Sequence, residues 1–132
     1  SGQVTWEVEE GAYAPLTVQE QKIYAATTGG ALIALDRDSG KVLWKVSSHK
    51  GITTQAALYR GYLIYGESEG GMVVLDPNTQ KEMARFEPGH GLTSSPWVNE
   101  KSGEVFFVSG GANLFALRVS WKRERDLLPW EK

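Results

Sequence analysis

Two histidines, His49 and His90, stand at matching places in two similar loops, Ser48-His49-Lys50-Gly51-Ile52-Thr53 and Gly89-His90-Gly91-Leu92-Thr93. Imidazoles repeated in this way offer either paired metal ligands or a shared binding face. No third ligand accompanies them, so the loops read as a repeated formula with exposed histidines, and no metal site is expected. Ser94-Ser95-Pro96 has no activating base at a recognisable spacing, which removes the nucleophile reading. Gly29-Gly30, Gly70-Gly71 and Gly110-Gly111 sit in hairpins and open no helix, so a phosphate cradle is unsupported. Asp36, Asp38, Asp76 and Asn78 fall in turns. The chain contains no cysteine, which excludes disulfides, thiolate catalysis and Cys-based metal centres. No catalytic residue is expected.

The elements that carry these residues form a repeat. Ile23-Tyr24-Ala25-Ala26-Thr27 followed by Ala31-Leu32-Ile33-Ala34-Leu35-Asp36 recurs as Leu63-Ile64-Tyr65-Gly66-Glu67 with Met72-Val73-Val74-Leu75-Asp76. It recurs again as Val105-Phe106-Phe107-Val108-Ser109 with Leu114-Phe115-Ala116-Leu117-Arg118. A period of forty to forty-two residues, in segments that alternate and are β-branched or aromatic, is that of one propeller blade. Glycine supplies positive φ at the turns, and Asp, Asn and Ser bond back to nearby amides. The expected fold is therefore all-β: a partial propeller of four-stranded antiparallel blades, about three of them, over residues 1–119. The third unit shows no fourth strand after Arg118. Val4-Thr5-Trp6-Glu7-Val8 reads like the fourth strand Val42-Leu43-Trp44-Lys45-Val46 and is expected to close the last blade by pairing with Asn113–Arg118, within one chain or across the twofold axis of a six-bladed pair of copies. Residues 120–132 break the repeat as a charged tail ending in Leu127-Leu128-Pro129-Trp130.

At 132 residues with a net charge of −2, the chain has room for one domain and no basic field for nucleic acid or anionic lipid. It has no apolar run long enough for a membrane span. Lack of cysteine suits the periplasm and the cytoplasm equally.

Ala34-Leu35-Asp36-Arg37-Asp38-Ser39-Gly40-Lys41-Val42-Leu43-Trp44 resembles the tryptophan-docking motif of the pyrroloquinoline-quinone (PQQ)-type propeller repeat, with Ser39 in place of Thr. The second copy, Val74–Ala84, keeps Asp76, Thr79 and Lys81 but has Gln80 for Gly and Ala84 for Trp. That family includes quinoprotein dehydrogenases and the propeller lipoprotein of the outer-membrane β-barrel assembly machinery. The resemblance implies that Trp6, Asp36, Ser39, Gly40, Trp44 and Asp76 are structural blade anchors, an indole lying over a neighbouring blade with its N–H on a backbone acceptor. It also implies an extracytoplasmic, periplasmic setting. The quinone site of such enzymes needs a full ring of blades and a calcium held by carboxylates and amides, and no such cluster can be placed here, so no cofactor is expected. The reading is a non-catalytic interaction or scaffold module whose converging loops bind a protein partner through Tyr13, His49, Ile52, His90, Leu92 and Trp97, or which joins further blades from a second copy or another chain. The alternative is part of a larger quinoprotein-type enzyme whose active site lies in other blades.

Overall fold

Short runs of alternating side chains, each stopped by glycine or an Asp/Asn/Ser turn, fold into eleven strands in a computed structural model that describes residues 2–12, 14–48, 50–92, 94–111 and 113–119. The first sheet holds β1 (Thr17–Gln19), β2 (Lys22–Ala26), β3 (Ala31–Asp36) and β4 (Val42–Ser47). The second holds β5 (Ala57–Tyr59), β6 (Tyr62–Gly66), β7 (Met72–Asp76) and β8 (Lys81–Phe86). The third holds β9 (Trp97–Asn99), β10 (Glu104–Val108) and β11 (Leu114–Arg118). Strands follow one another in order, and every neighbouring pair is antiparallel. Each sheet is one blade. The repeat extends to irregularities, because β4 and β8 carry a register shift at the same place, opposite Ala34/Leu35 and Val74/Leu75. A bulge there increases strand twist and helps wedge one blade against the next.

The core lies between blades. Alternate residues of one strand face the preceding blade or the following one, so β2 and β3 are buried on both sides. Tyr24, Leu32 and Ala34 of the first blade meet Ala56, Leu63, Tyr65, Val73 and Leu75 of the second. Ile64, Met72 and Val74 of the second meet Val105 and Phe107 of the third, with Phe86, Phe115 and Leu117 at the margin. Each fully buried Leu, Ile or Phe among them contributes about 1.5–3 kcal/mol relative to exposure. Phe86, Phe107 and Phe115 form an aromatic triple with centroids 5.3–5.7 Å apart.

The hairpins after β3 and β7 show what one substitution does to a repeat. In the first, Ser39 Oγ donates to Asp36 Oδ2 at 2.6 Å, and buried Gly40 has φ 74°. The Trp6 ring lies directly on Gly40, so close that a Cβ there would be 2.4 Å from Trp6 Cε3, and its indole N–H donates to Arg37 O at 2.8 Å. In the second hairpin Gln80 keeps the left-handed backbone, φ 57°, and its own Nε2 donates at 2.7 Å to Pro77 O, the carbonyl equivalent to Arg37 O. The equivalent indole, that of Trp44, packs against Tyr24 at 5.9 Å with Nε1 buried and unpartnered. Gln80 has thus taken the acceptor that a docked tryptophan would use.

Residues 4–8 form no ladder with β11 among the described residues. Trp6 and Val8 instead pack on Ala25, Ile33 and Leu35 of the first blade. The expected pairing with Asn113–Arg118 therefore does not form within one copy. The reason is placement: Trp6 is held on the outer side of the first blade, and the second blade stands between it and β11. The tail 120–132 lies outside the described residues.

Candidate functional site

The connections that enter each blade are tied to the end of its second strand by single antiparallel bridges, Ala12 to Thr27, Thr53 to Glu67 and Leu92 to Ser109. Loop contacts add to this. Ile52 N donates to Ser68 Oγ at 2.9 Å, Ser68 N donates to Ile52 O at 2.8 Å, and Gly110 N donates to Gly91 O at 2.8 Å. Nearer the axis the first two blades are joined by Thr17 Oγ1 donating to Ala56 O at 2.5 Å and Gln55 Nε2 donating to Leu16 O at 3.2 Å. The loops are thereby fixed on one face by the scaffold rather than left to find their own positions.

Between them lies a cleft of about 300 Å³, lined by Ala14, Pro15, Ile52, Thr53, Thr54, Gln55, Ser68, Leu92, Ser94 and Ser95. Every lining side chain is neutral. Hydroxyls and one amide surround aliphatic surface, a lining that accepts an apolar side chain and hydrogen-bonds the backbone around it. Thr53 Oγ1 is buried in this wall without a partner.

The sequence-predicted residues fall in different places. Ile52 is 40% exposed at the cleft rim, and His90 is exposed with its ring beside Gly111. Leu92 is fully buried: the bridge to Ser109 carries it under Gly66, where a Cβ would be 2.6 Å from its own Cβ. It therefore belongs to the floor of the cleft and to the core. Trp97, 61% exposed over Phe106 at 5.6 Å, sits on the outward side of the third blade and not behind the loops. Tyr13 and His49 lie outside the described residues.

Sequence reasoning missed a buried ionic cluster beneath this face. Glu67, 1% exposed, accepts from Arg85 Nη1 at 2.5 Å and from Ser48 Oγ at 3.1 Å, and Arg85 also contacts Glu82 and Glu87. The hydrogen bond to Glu67 is the largest cause holding the Arg85 guanidinium protonated beyond its ordinary range. Thr27 and Ser109 occupy the equivalent positions in the other blades, so aligning the repeats column by column exposes Glu67 as the odd member. Its carboxylate is paired with Arg85 and accepts from Ser48. Among the described residues no three His, Cys, Asp or Glu side chains gather in a metal-binding group, and the neutral cleft offers no carboxylate for a calcium–quinone pair.

Comparison with known proteins gives the family. The family model described as outer membrane protein assembly factor BamB, of the PQQ-like type, matches residues 1–132. The chain belongs to that family. Relatives of this BamB-like chain divide between two activities. It is 27% identical to 1-butanol dehydrogenase (quinone) of Thauera butanivorans over 91% of its own length and 22% of the relative's. It is 29% identical to BamB of Legionella pneumophila over 86% of its length and 30% of the relative's. With BamB of Yersinia pestis the figures are 36%, 53% and 18%. The chain thus spans under a third of the length of these relatives. In structure it superposes on BamB from Moraxella catarrhalis with a TM-score of 0.68 at 19% identity, covering 86% of this chain and 35% of that one. A quinohemoprotein alcohol dehydrogenase from Pseudomonas putida gives 0.67 at 19% identity, with 86% and 20% covered. These likenesses establish the β-propeller fold.

Proposed function

We propose that this chain is a non-catalytic interaction module that binds a protein partner through its loop face, in the periplasm. The observation that carries this reading is the neutral cleft with Ile52 at its rim. A rigid, uncharged recess edged by hydroxyls takes an apolar side chain from a partner and offers hydrogen bonds to the peptide around it, whereas acid–base chemistry requires titratable groups. The assembly-factor name of several relatives supports the same reading, as does the pairing of Glu67, the buried carboxylate nearest the face, with Arg85.

The test places a photo-crosslinking side chain at Ile52 or, as control, at Leu43 on the outer strand, inside the cell envelope. A partner identified by mass at position 52 and not at 43, and lost when Ile52→Asp is introduced beside the crosslinker at Ser95, supports the proposal. Equal capture at both positions refutes it.

The second reading, part of a larger quinoprotein enzyme, is favoured by the 27% identity to a quinone-dependent dehydrogenase across 91% of the chain. Saturable quenching of tryptophan emission by PQQ with calcium, together with PQQ-dependent dye reduction, would support it against the first.

A further inference from the structure

Glu67 stands where the first and third blades carry Thr27 and Ser109, at the bridge that ties each entry loop to its blade. The Thr27 hydroxyl accepts from Ala31 N at 3.2 Å, inside its own turn. The longer Glu67 side chain reaches out of its turn in two directions. Oε2 accepts from Ser48 Oγ at 3.1 Å, where the chain leaves the first blade. Oε1 accepts from Arg85 Nη1 at 2.5 Å, on the outermost strand of the second blade. Lys45 is the first-blade equivalent of Arg85, since it lies opposite Ile33 as Arg85 lies opposite Val73. The arginine fork matters because Nε and Nη2 bond Glu82 at 2.8 and 2.6 Å while Nη1 holds Glu67, a division that a single ammonium cannot copy. Burying a carboxylate against its cation is a weak source of stability, because desolvation offsets much of the attraction. Thr27 and Lys45 close the same corner one blade earlier without it. What the pair adds is position.

Both walls of the cleft hang on residues 66–69. On one side Ile52 N donates to Ser68 Oγ at 2.9 Å, Ser68 N donates to Ile52 O at 2.8 Å, and Glu69 N donates to Lys50 O at 3.2 Å. On the other, Leu92 N donates to Glu67 O at 3.0 Å. Gly51 and Gly91, at φ 84° and 69°, press on Ser68 so closely that neither has room for a Cβ. Ser68 itself lines the cleft between the walls. The Ile52 wall arrives from the first blade, and its approach is clasped by Ser48, whose N–H donates to Gly30 O at 2.8 Å and whose hydroxyl donates to Glu67.

We propose that Glu67, held by Arg85, is the positioning residue of the loop face: through Ser48 it fixes where Ile52 stands at the cleft rim, and so the shape of the recess that receives a partner's apolar side chain. The carboxylate touches no occupant of the cleft and acts only through the loop it clasps. A rim held in its bound shape before the partner arrives lowers the ordering cost of binding. The arrangement also couples two surfaces of the second blade. Glu82 and Glu87, on its outer side, share the Arg85 guanidinium with Glu67, so a change at that outer side is felt at Ser48 and the rim.

This inference rests on the loop-face reading, and its test keeps the two apart. Removing Arg85 alone strands a buried carboxylate, so the pair is exchanged together: Glu67→Thr with Arg85→Lys copies the first blade. Ser48→Ala removes only the clasp, and Ser48→Thr restores a hydroxyl. Hydrogen exchange followed by NMR compares the Ile52 and Ser68 amides of the loop contact with Val73 and Leu75 in the core of the same blade. In Glu67→Thr/Arg85→Lys and in Ser48→Ala the loop amides should exchange about tenfold faster, as loss of a hydrogen bond to a charged group implies. The core amides should keep their rates in Ser48→Ala, and Ser48→Thr should behave as wild type. Capture of the partner by a photo-crosslinker at Ser95, on the opposite wall, should fall by a similar factor in the two loosened variants and be retained in Ser48→Thr. Loop amides at wild-type rates, loop and core amides that quicken together in Ser48→Ala, or undiminished capture by the loosened variants overturns the positioning role while the loop-face reading stands. Wild-type protein that captures nothing from Ser95 or Ile52 overturns that reading and this inference with it.

Discussion

Replacing Gln80 by glycine restores in the second hairpin what Gly40 provides in the first. Four quantities change. The Trp44 indole N–H, now buried without a partner, gains access to Pro77 O in the geometry by which Trp6 reaches Arg37 O at 2.8 Å; satisfying a buried orphan donor recovers about 1–3 kcal/mol. The backbone at φ 57° no longer carries a Cβ, relieving roughly 1 kcal/mol of left-handed strain. Against these, glycine loosens the unfolded chain by about 0.4–1 kcal/mol, and the hydrogen bond from the Gln80 amide to Pro77 O is lost. The expected net gain is about 1–3 kcal/mol, read as a rise in Tm of roughly 4 °C per kcal/mol for a domain of this size. Urea denaturation and a change in Trp44 emission measure it. Gln80→Ala is the control: it removes the amide but keeps the Cβ and the strain, so it brings no gain. Adding Trp44→Phe to Gln80→Gly should cancel the gain in a double-mutant cycle. An unchanged or lower stability for Gln80→Gly, or a gain that survives Trp44→Phe, would refute the argument that Gln80 displaces the indole.

Other outcomes follow from single contacts. Trp6→Phe should cost about 1 kcal/mol more than Trp44→Phe, because only the Trp6 indole makes a hydrogen bond; paired urea titrations compare them. Arg85→Ala leaves the Glu67 carboxylate buried without its cation and should cost about 3–5 kcal/mol, read as a lower urea midpoint. Burial first, then the nearby Glu67 and Glu82 charges, pushes the Tyr65 hydroxyl from 10.0 up to about 12. The folded state then keeps a proton that the unfolded chain has lost. Stability held below pH 10.0 should therefore decline as pH rises toward about 12, and Tyr65→Phe should flatten that decline in denaturation series.

The strands were legible because their period and turn residues are local properties. Asp36, Ser39 and Gly40 announce a hairpin, and Ser39 does bond Asp36 at 2.6 Å. Gln80 was visible as a departure from the motif. That its amide would take the carbonyl meant for an indole depends on a contact across the turn. Leu92 was misread as a surface residue because loops are usually exposed, whereas the bridge to Ser109 pulls it beneath Gly66. Trp97 alternates to the outward side of β9, a direction that only the register with β10 fixes. Glu67 defies the rule that carboxylates stay in water, and its partner Arg85 comes from two strands later. For Val4–Val8 the sequence reveals the kind of strand, while its neighbours depend on which sheet lies within reach.

The one-sided attachment of the third blade also shapes how this chain comes apart. Blades coupled only to their neighbours behave as a short linear array, and each opens at a free energy set by the junctions it must break. Among the described residues the second blade shares cores on both sides, the first is clasped by the second and by Trp6, and the third shares a core with the second only. Amide protons of β10 and β11 should exchange with solvent well before those of β6 and β7, in a gradient that runs along the sequence. Opening would begin at β11, whose outer edge carries no partner strand among the described residues. Covering that edge would raise the weakest step in the gradient and turn a progressively opening stack into one that opens all at once.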